Sequence, residues 1–227
     1  RKFASKKKTK GVIGESSDSD IHTRRMAEVR PCEWPHNLFM EGAGILQEFA
    51  QYDANTVLTD FIATECEQYR LLTNSFVQSF NFLSRNNPPK VQFNLYVEPH
   101  QIPLTELCDI CMLPSDGSLV EPRPTEFDGF YRTLTVGYER GVSSITATSL
   151  HFPVVHYFAP FITKCLLARE KMGALSAPDF ALLRQALYND NTYSLGAIVA
   201  CRLHLNRSKG KIHGGIYDTH LASHFNI

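Results

Sequence analysis

Apolar side chains in the segment before residue 90 recur at helical spacing and predict two helices. In the helix that follows Gly42, four apolar residues share one face: Ile45, Leu46, Phe49 and Tyr52. In LLTNSFVQSFNFL (71–83), Thr73 is a candidate N-cap, and three residues share the apolar face: Phe76, Phe80 and Leu83. The prolines of NNPP (86–89) end this helix, because proline cannot continue a helix and restricts the residue before it.

Strict alternation of apolar and polar residues in VQFNLYV (91–97) predicts a β-strand. Four apolar side chains fall on one face of this strand: Val91, Phe93, Leu95 and Val97. EPHQ (98–101) is predicted to turn the chain into a short return strand that ends near Ile102, which makes a hairpin. Pro103 suits the first turn of a helix over PLTELCDICML, and the Pro, Asp and Gly of PSDG end it.

Helical spacing returns in VVHYFAPFITKCLLARE, after an irregular stretch in which FYRTLTVGYERG fits either helix or strand. Five residues share the face of this helix: Val155, Phe158, Ile162, Cys165 and Leu166. Pro160 lies inside it, where a kink is expected. Ser176 and Asp179 form a capping box for SAPDFALLRQALYN, and SLGAIVACRLHL and the closing segment predict two more helices. The predicted fold is mostly α, a multi-helix globular domain with one small β-hairpin.

Charge divides the chain into two parts. Residues 1–10 hold six of the 23 basic side chains and no acid, which leaves 17 basic and 23 acidic side chains elsewhere, a net charge of −6. Residues 1–30 have few large apolar groups and predict a disordered basic and Ser-acidic arm, and residues 31–227 predict a single helical domain. Within the arm, KKKTK fits a nuclear-localisation patch or a solubilising tail.

Composition narrows the cellular context. Six cysteines without the rhythm of a secreted scaffold, and a basic start with no apolar signal segment, favour reduced thiols in the nucleus or cytoplasm. The longest apolar stretch, HYFAPFITKCLLA, is interrupted by Thr163 and Lys164, so we expect a soluble protein without a membrane partner. The chain begins with Arg1 and is expected to be part of a longer product, with the domain truncated at its C-terminal end.

The motif with the sharpest chemical pattern is CDIC, which places Cys108 and Cys111 three residues apart. A CxxC pair serves redox exchange or half of a zinc site, but no second pair lies nearby in the sequence. A thioredoxin-type motif follows a strand of a βαβ unit, whereas these cysteines continue the apolar stripe of Leu104 and Leu107. The pattern favours buried packing, with no cofactor and no catalytic role.

Three histidines fall in the closing segment: His213, His220 and His224. The last two are four residues apart, as in HExxH zinc enzymes, but Leu221 stands where that motif has its glutamate. We interpret His224 as the edge of an apolar face with Tyr217, Leu221 and Phe225, and we predict no metal site.

Other candidate chemistry is weak. His151 and His156 flank the start of a helix and are interpreted as structural. Paired acids occur at Glu65 and Glu67 and at Glu121 and Glu126, and we assign neither pair a catalytic role. The sequence has no GxSxG motif and no Gly-rich phosphate loop, so we predict no enzyme and no small-molecule substrate. Basic residues that suit phosphate contacts lie in the arm, at Lys6, Lys7, Lys8 and Lys10. A second set lies before the last helix, where a solvated loop is an equal alternative: Arg202, Arg207, Lys209 and Lys211.

The order of these pieces, from VQFNLYVEPHQIPLTELCDICMLP through DFALLRQALYNDNTYSLGAIVACRL to GKIHGGIYDTHLASHFNI, resembles a known family. It is similar to the first-reading-frame (Gag-position) protein of Athila-type plant LTR retrotransposons and to the related plant transposon protein domain. The resemblance covers about residues 60–227. In the closing family motif it matches seven residues: Gly214, Gly215, Thr219, Leu221, Ala222, His224 and Phe225. Cys111-Met112 departs from the family, which often has a small residue or glycine there.

The resemblance implies a retroelement-derived, non-enzymatic structural protein of plants. We expect it to self-associate and to contact RNA through its basic segments. The alternative from the arm is a module retained by the host that binds nucleic acid (RNA or DNA) or protein in the nucleus. A metal- or thiol-dependent enzyme is the third hypothesis.

Overall fold

The computed structural model describes residues 28–29, 35–56, 58–63, 67–135, 145–169, 173–213 and 215–227. These residues form ten α-helices and five short strands, and the predicted, mostly helical fold with a small antiparallel hairpin is confirmed. The helices are α1 (Asn37–Gly42), α2 (Leu46–Thr56), α3 (Thr59–Ala63), α4 (Arg70–Ser79), α5 (Leu104–Ile110), α6 (Asp128–Leu134), α7 (Pro153–Phe161), α8 (Ala177–Tyr188), α9 (Leu195–Asn206) and α10 (Gly215–Phe225). The strands are β1 (Glu28–Val29), β2 (Asn81–Leu83), β3 (Lys90–Leu95), β4 (Glu98–Pro103) and β5 (Lys211–Ile212).

The central sheet is antiparallel in the order β2–β3–β4, with Val91 opposite Phe82 on one side and Ile102 on the other. Val91, Phe93 and Leu95 point into the core, as the alternation predicts. The predicted end of β3 is wrong, however. Tyr96 adopts a left-handed conformation with φ 54°, and the Val97 side chain is 88% exposed, because both residues form the turn of the hairpin.

The segment EPHQ is therefore strand and not turn, since it begins β4 directly after Val97. A second correction concerns Leu83, which was predicted on the face of a helix but lies in β2. Helix α4 ends at Ser79, and the Ser79 hydroxyl accepts a hydrogen bond from the Asn94 N–H at 2.7 Å. The helix therefore ends where the sheet begins, well before the prolines.

Helix α4 begins at Arg70 with Tyr69 as its N-cap, so the prediction of Thr73 as the N-cap is wrong. Thr73 lies one turn inside the helix and is buried, and its hydroxyl donates to the Asp218 carboxylate of α10 at 3.1 Å. A threonine hydroxyl can form its hydrogen bond at a helix cap or with a residue of another helix, and the hydroxyl of Thr73 bonds to another helix.

The core lies between the sheet and the surrounding helices. Aromatic side chains from α4 and β3 meet there, with the ring centroids of Phe76 and Phe93 5.4 Å apart. Helix α2 packs against α8, and Phe49 contacts Phe158 of α7 edge-on at 5.2 Å. The predicted apolar faces of α2 and α7 are buried, which confirms both helices.

Helix α7 passes into a turn of π-helix (Ile162–Leu166) just after Pro160. Proline lacks the N–H that continues the regular hydrogen-bond pattern, and π-turns occur where that pattern is interrupted. The Cys165 and Leu166 side chains still reach the core, so the local irregularity keeps the predicted face buried.

The capping box of α8 is confirmed, since the Ser176 N–H donates to Asp179 Oδ2 at 2.6 Å. Asp179 is buried and has partners from outside the helix as well. The Thr163 hydroxyl donates to Asp179 Oδ1 at 3.2 Å, and Arg169 forms an ion pair with the same carboxylate. One acid thus caps α8 and ties it to the end of α7.

Strand β1 pairs in parallel with β5, with Glu28 opposite Lys211. It lies inside the range predicted to be a disordered arm, because a two-residue bridge leaves no pattern in the sequence. Residues 1–27 of that arm lie outside the described residues. Helix α6 covers the first part of FYRTLTVGYERG, and residues 136–144 also lie outside. Within the described ranges, no helix has the length and apolar character needed to cross a membrane.

Candidate functional site

The predicted burial of both CDIC thiols is confirmed, and Cys108 lies where α5 packs against α9. A Cβ atom placed on Gly196 of α9 would lie 2.1 Å from Cys108 Sγ, so the two helices approach closely only because one side chain is absent. We call this contact of Cys108 with Gly196 the thiol crossing. Cys111 caps the C-terminal end of α5 and is fully buried.

The electrostatics of the thiol crossing oppose ionisation. Burial raises the pKa of the Cys108 thiol to about 12, and the charge of Asp109 adds to the shift. Burial also raises the pKa of Cys111. Because the thiolate is the species that attacks disulfides and binds metals, these protonated thiols are suited to packing. Cys165 is buried and Cys201 is half-buried, whereas Cys32 and Cys66 lie outside the described residues.

The closing histidines occupy different environments. His213 is buried before α10, His220 is half-buried and His224 is exposed. Burial lowers the pKa of the His220 imidazole, and the His224 ring meets Phe225 edge-on at 5.0 Å. In the part of the chain that the structure describes, no three His, Cys, Asp or Glu side chains are arranged to hold a metal ion.

The residues of the closing family motif attach α10 to the rest of the fold. The Thr219 hydroxyl donates to the Glu67 carbonyl oxygen at 2.8 Å, and Gly215 lies against the side chain of Gln68. Leu221 and Ala222 are buried, and the Phe225 ring lies 4.4 Å from the His100 ring of β4. These contacts are structural. Gly214 lies outside the described residues.

The basic residues before α10 separate into two sets. Arg207 and Lys209 are exposed in the turn after α9. Arg202 is half-buried, and its Nη2 atom lies 3.7 Å from the Glu121 carboxylate. Lys211 is half-buried in β5. These four residues are close together in the sequence, but within this patch the structure exposes Arg207 and Lys209 and half-buries Arg202 and Lys211. Lys6, Lys7, Lys8 and Lys10 lie outside the described residues.

The described members of the two acid pairs, Glu67, Glu121 and Glu126, contact different partners. Glu65 lies outside the described residues, and Glu67 accepts a hydrogen bond from the Tyr69 hydroxyl at 2.9 Å. Glu126 accepts from the Tyr193 hydroxyl. Each described acid therefore has a partner of its own.

A cleft of about 180 Å³ lies beside the exposed face of α9, and we call it the α9 cleft. Its walls include Leu119, Val120, Ile198, Cys201 and Arg202. Sequence reasoning missed it because 118–122 reads as an irregular loop.

The loop is fixed to the N-terminal side of α9 by Gly117, which has φ 101° and whose Cβ would lie 2.6 Å from the backbone of Tyr193. The Ser118 N–H then donates to Thr192 O at 2.9 Å. The sequence signal that could have located this loop is Gly117, which precedes the apolar pair Leu119 and Val120 in an irregular stretch.

His151 and His156 are exposed on the rim of an apolar groove between α1 and α7. Neither imidazole has a hydrogen-bond partner among the described residues.

Comparison of the chain with protein-family models, with curated proteins and with solved structures finds no match. The retroelement resemblance therefore stays a prediction.

Proposed function

We propose that this chain is a retroelement-derived, non-enzymatic protein of the Gag position that self-associates and contacts RNA. The observation that carries the proposal is an exposed apolar surface beside the α9 cleft, directly followed by an exposed basic turn. Protein association then takes place along α9, and phosphate contacts take place at the turn that follows it.

The apolar surface consists of Leu119, Val120 and Leu205, whose side chains are 47%, 62% and 49% exposed. Leu205 follows Cys201 by one helical turn, so it extends the face of α9 that lines the cleft. Large apolar groups gathered at one place on the surface mark interaction sites, whereas scattered ones need no explanation.

The basic turn begins two residues after Leu205. Arg207 and Lys209 are exposed there, and neither forms an ion pair among the described residues. Lysine and arginine that neutralise phosphates release counterions, which makes RNA binding sensitive to salt. The arm at residues 1–10 adds six positive charges in the sequence.

The thiol crossing supports a non-enzymatic role. Cys108 and Cys111 combine burial with raised pKa values, the reverse of what an activated nucleophile needs. The described carboxylates named above are bonded to partners of their own, and this arrangement favours a packed scaffold with its interactions on the surface.

Size-exclusion chromatography with light scattering tests self-association. We expect the wild-type chain to have at least the mass of a dimer, and the double variant Val120→Asp, Leu205→Asp to have the mass of a monomer. Leu71→Asp is the matched control, because Leu71 is 62% exposed on α4, away from the cleft lining. A strictly monomeric wild-type chain that ignores RNA at low salt contradicts the proposal.

RNA binding is measured by fluorescence anisotropy at several salt concentrations. Changing Arg207 and Lys209 to Ala should make the negative slope of log K against log salt shallower by about 1.4, because each single-strand phosphate contact contributes about −0.7 to it. Nucleic-acid binding by a monomer, with nuclear import lost when Lys6, Lys7, Lys8 and Lys10 become Ala, favours the host-retained nuclear module instead.

A further inference from the structure

A groove of about 460 Å³ lies where the end of α1 meets the start of α7, at a surface that the proposed function does not use. Its walls are apolar side chains that include Phe39, Ile45, Leu150, Pro153 and Tyr157. This volume falls within the range of about 300–1,000 Å³ that is common for small-molecule sites. The groove shares no lining residue with the α9 cleft.

Contacts with neighbouring residues hold the aromatic wall of the groove in place. The Phe39 ring stacks on Tyr157 with centroids 5.2 Å apart and planes at 24°, and Tyr157 meets Phe49 of the core edge-on at 6.0 Å. The His36 N–H donates to the Tyr157 hydroxyl oxygen at 2.9 Å. These contacts fix the Tyr157 ring, so a flat apolar ligand meets a surface that is already formed.

The polar groups of the groove favour an anion. The lining contains no carboxylate, and its rim presents the imidazoles of His151 and His156, which have no hydrogen-bond partner among the described residues. An imidazole N–H donates to an anion in either charge state of the ring.

The nine-residue helix α7 starts at the same rim, and its N-cap residue Phe152 offers no side-chain acceptor. The N-terminal end of a helix stabilises negative charge, which adds to the preference set by the two histidines.

We infer that this groove, the α1–α7 groove, binds a small amphipathic organic acid. The apolar ring of the ligand lies against Phe39 and Tyr157, and its carboxylate accepts hydrogen bonds from His151 and His156. The ligand is an aromatic carboxylic acid, since the wall of the groove is aromatic.

The test uses the full chain, three probes and isothermal titration calorimetry. The probes share one ring system and differ in the head group: 2-naphthoate, 2-naphthalenemethanol and 2-naphthalenemethylamine. We expect 2-naphthoate to bind at least about tenfold more tightly than the alcohol, because hydrogen bonds to charged groups contribute more than neutral ones. The amine should bind most weakly. Absence of 2-naphthoate binding at millimolar concentration, or equal binding of the three probes, overturns the inference.

Variants locate the site. Ala43 lines the groove, is exposed and has φ −83°, so Ala43→Phe fills the groove without backbone strain and should abolish 2-naphthoate binding. His151→Ala with His156→Ala should weaken 2-naphthoate at least about tenfold and leave the alcohol within about twofold. His224→Ala, which removes an exposed histidine elsewhere, is the control and should change nothing. Unchanged binding in Ala43→Phe, or equal losses for acid and alcohol in the histidine variant, contradicts the inference, provided that circular dichroism shows each variant folded.

Discussion

The thiol crossing and the α1–α7 groove both carry residue types that enzymes use, yet their surroundings differ. At the crossing, Cys108 is buried against Gly196, and burial raises the pKa of its thiol to about 12. At the groove, His151 and His156 are exposed and have no hydrogen-bond partner among the described residues. At the crossing, the Cys108 thiol contributes to packing, whereas at the groove the two imidazoles are accessible to a ligand. Burial and neighbours, and not residue type, decide what a side chain can do.

The largest effect should come from adding one methyl group at the thiol crossing. Gly196→Ala places a Cβ 2.1 Å from Cys108 Sγ, and this thiol is buried among core side chains. Overpacking a core costs about 1–3 kcal/mol, so we expect the free energy of unfolding to fall by about 2 kcal/mol, even with the better helix propensity of alanine. Urea denaturation measures this loss.

Removing the sulfur should reverse that loss. In Cys108→Ala the nearest atom of residue 108 would be its Cβ, at the ordinary distance of 3.7 Å from the added methyl group. The double variant should therefore be more stable than Gly196→Ala alone, with a coupling energy of about 1–3 kcal/mol. Additive losses would show that the contact does not control the helix crossing.

A smaller effect is expected from alkaline pH. The pKa of Cys108 is about 12 in the folded chain against an ordinary value of 9.0, so the folded thiol keeps its proton where the unfolded thiol loses it. This contribution to stability is complete below about pH 9 and declines as the pH rises toward 12, by up to about 1.4 kcal/mol per pH unit. Between pH 8 and pH 10, the urea midpoint of unfolding should fall further in the wild-type chain than in Cys108→Ala. Equal falls would place the alkaline sensitivity elsewhere.

The smallest effect should come from the groove. His151→Ala and His156→Ala remove exposed side chains that have no hydrogen-bond partner among the described residues, so each should change the free energy of unfolding by less than about 0.5 kcal/mol. Thermal and urea denaturation measure the change. A loss of more than about 1 kcal/mol would mean that these imidazoles support the fold, and the contrast with the thiol crossing would disappear.

The hairpin shows how far periodicity predicts structure. The alternation of Val91, Phe93 and Leu95 located β3, because one face of the strand is buried. The same alternation continued through Val97, although this residue lies in the turn. A period of two reports a pattern of side chains, and it does not report where the backbone reverses. Strand β2 was missed because its short sequence continues the helical spacing of α4.

The sequence determined the local features of this protein: the amphipathic helices, the capping box at Ser176 and Asp179, and the burial of the CDIC thiols. Each depends on residues close together in the chain, so the pattern is visible without coordinates. The tertiary structure decided which distant residues meet. It placed Gly196 against Cys108, gave Thr73 a partner in Asp218, and assembled the α1–α7 groove from separate segments. Side-chain packing between segments leaves no periodic trace, because close approach depends on three-dimensional shape and not on spacing along the chain.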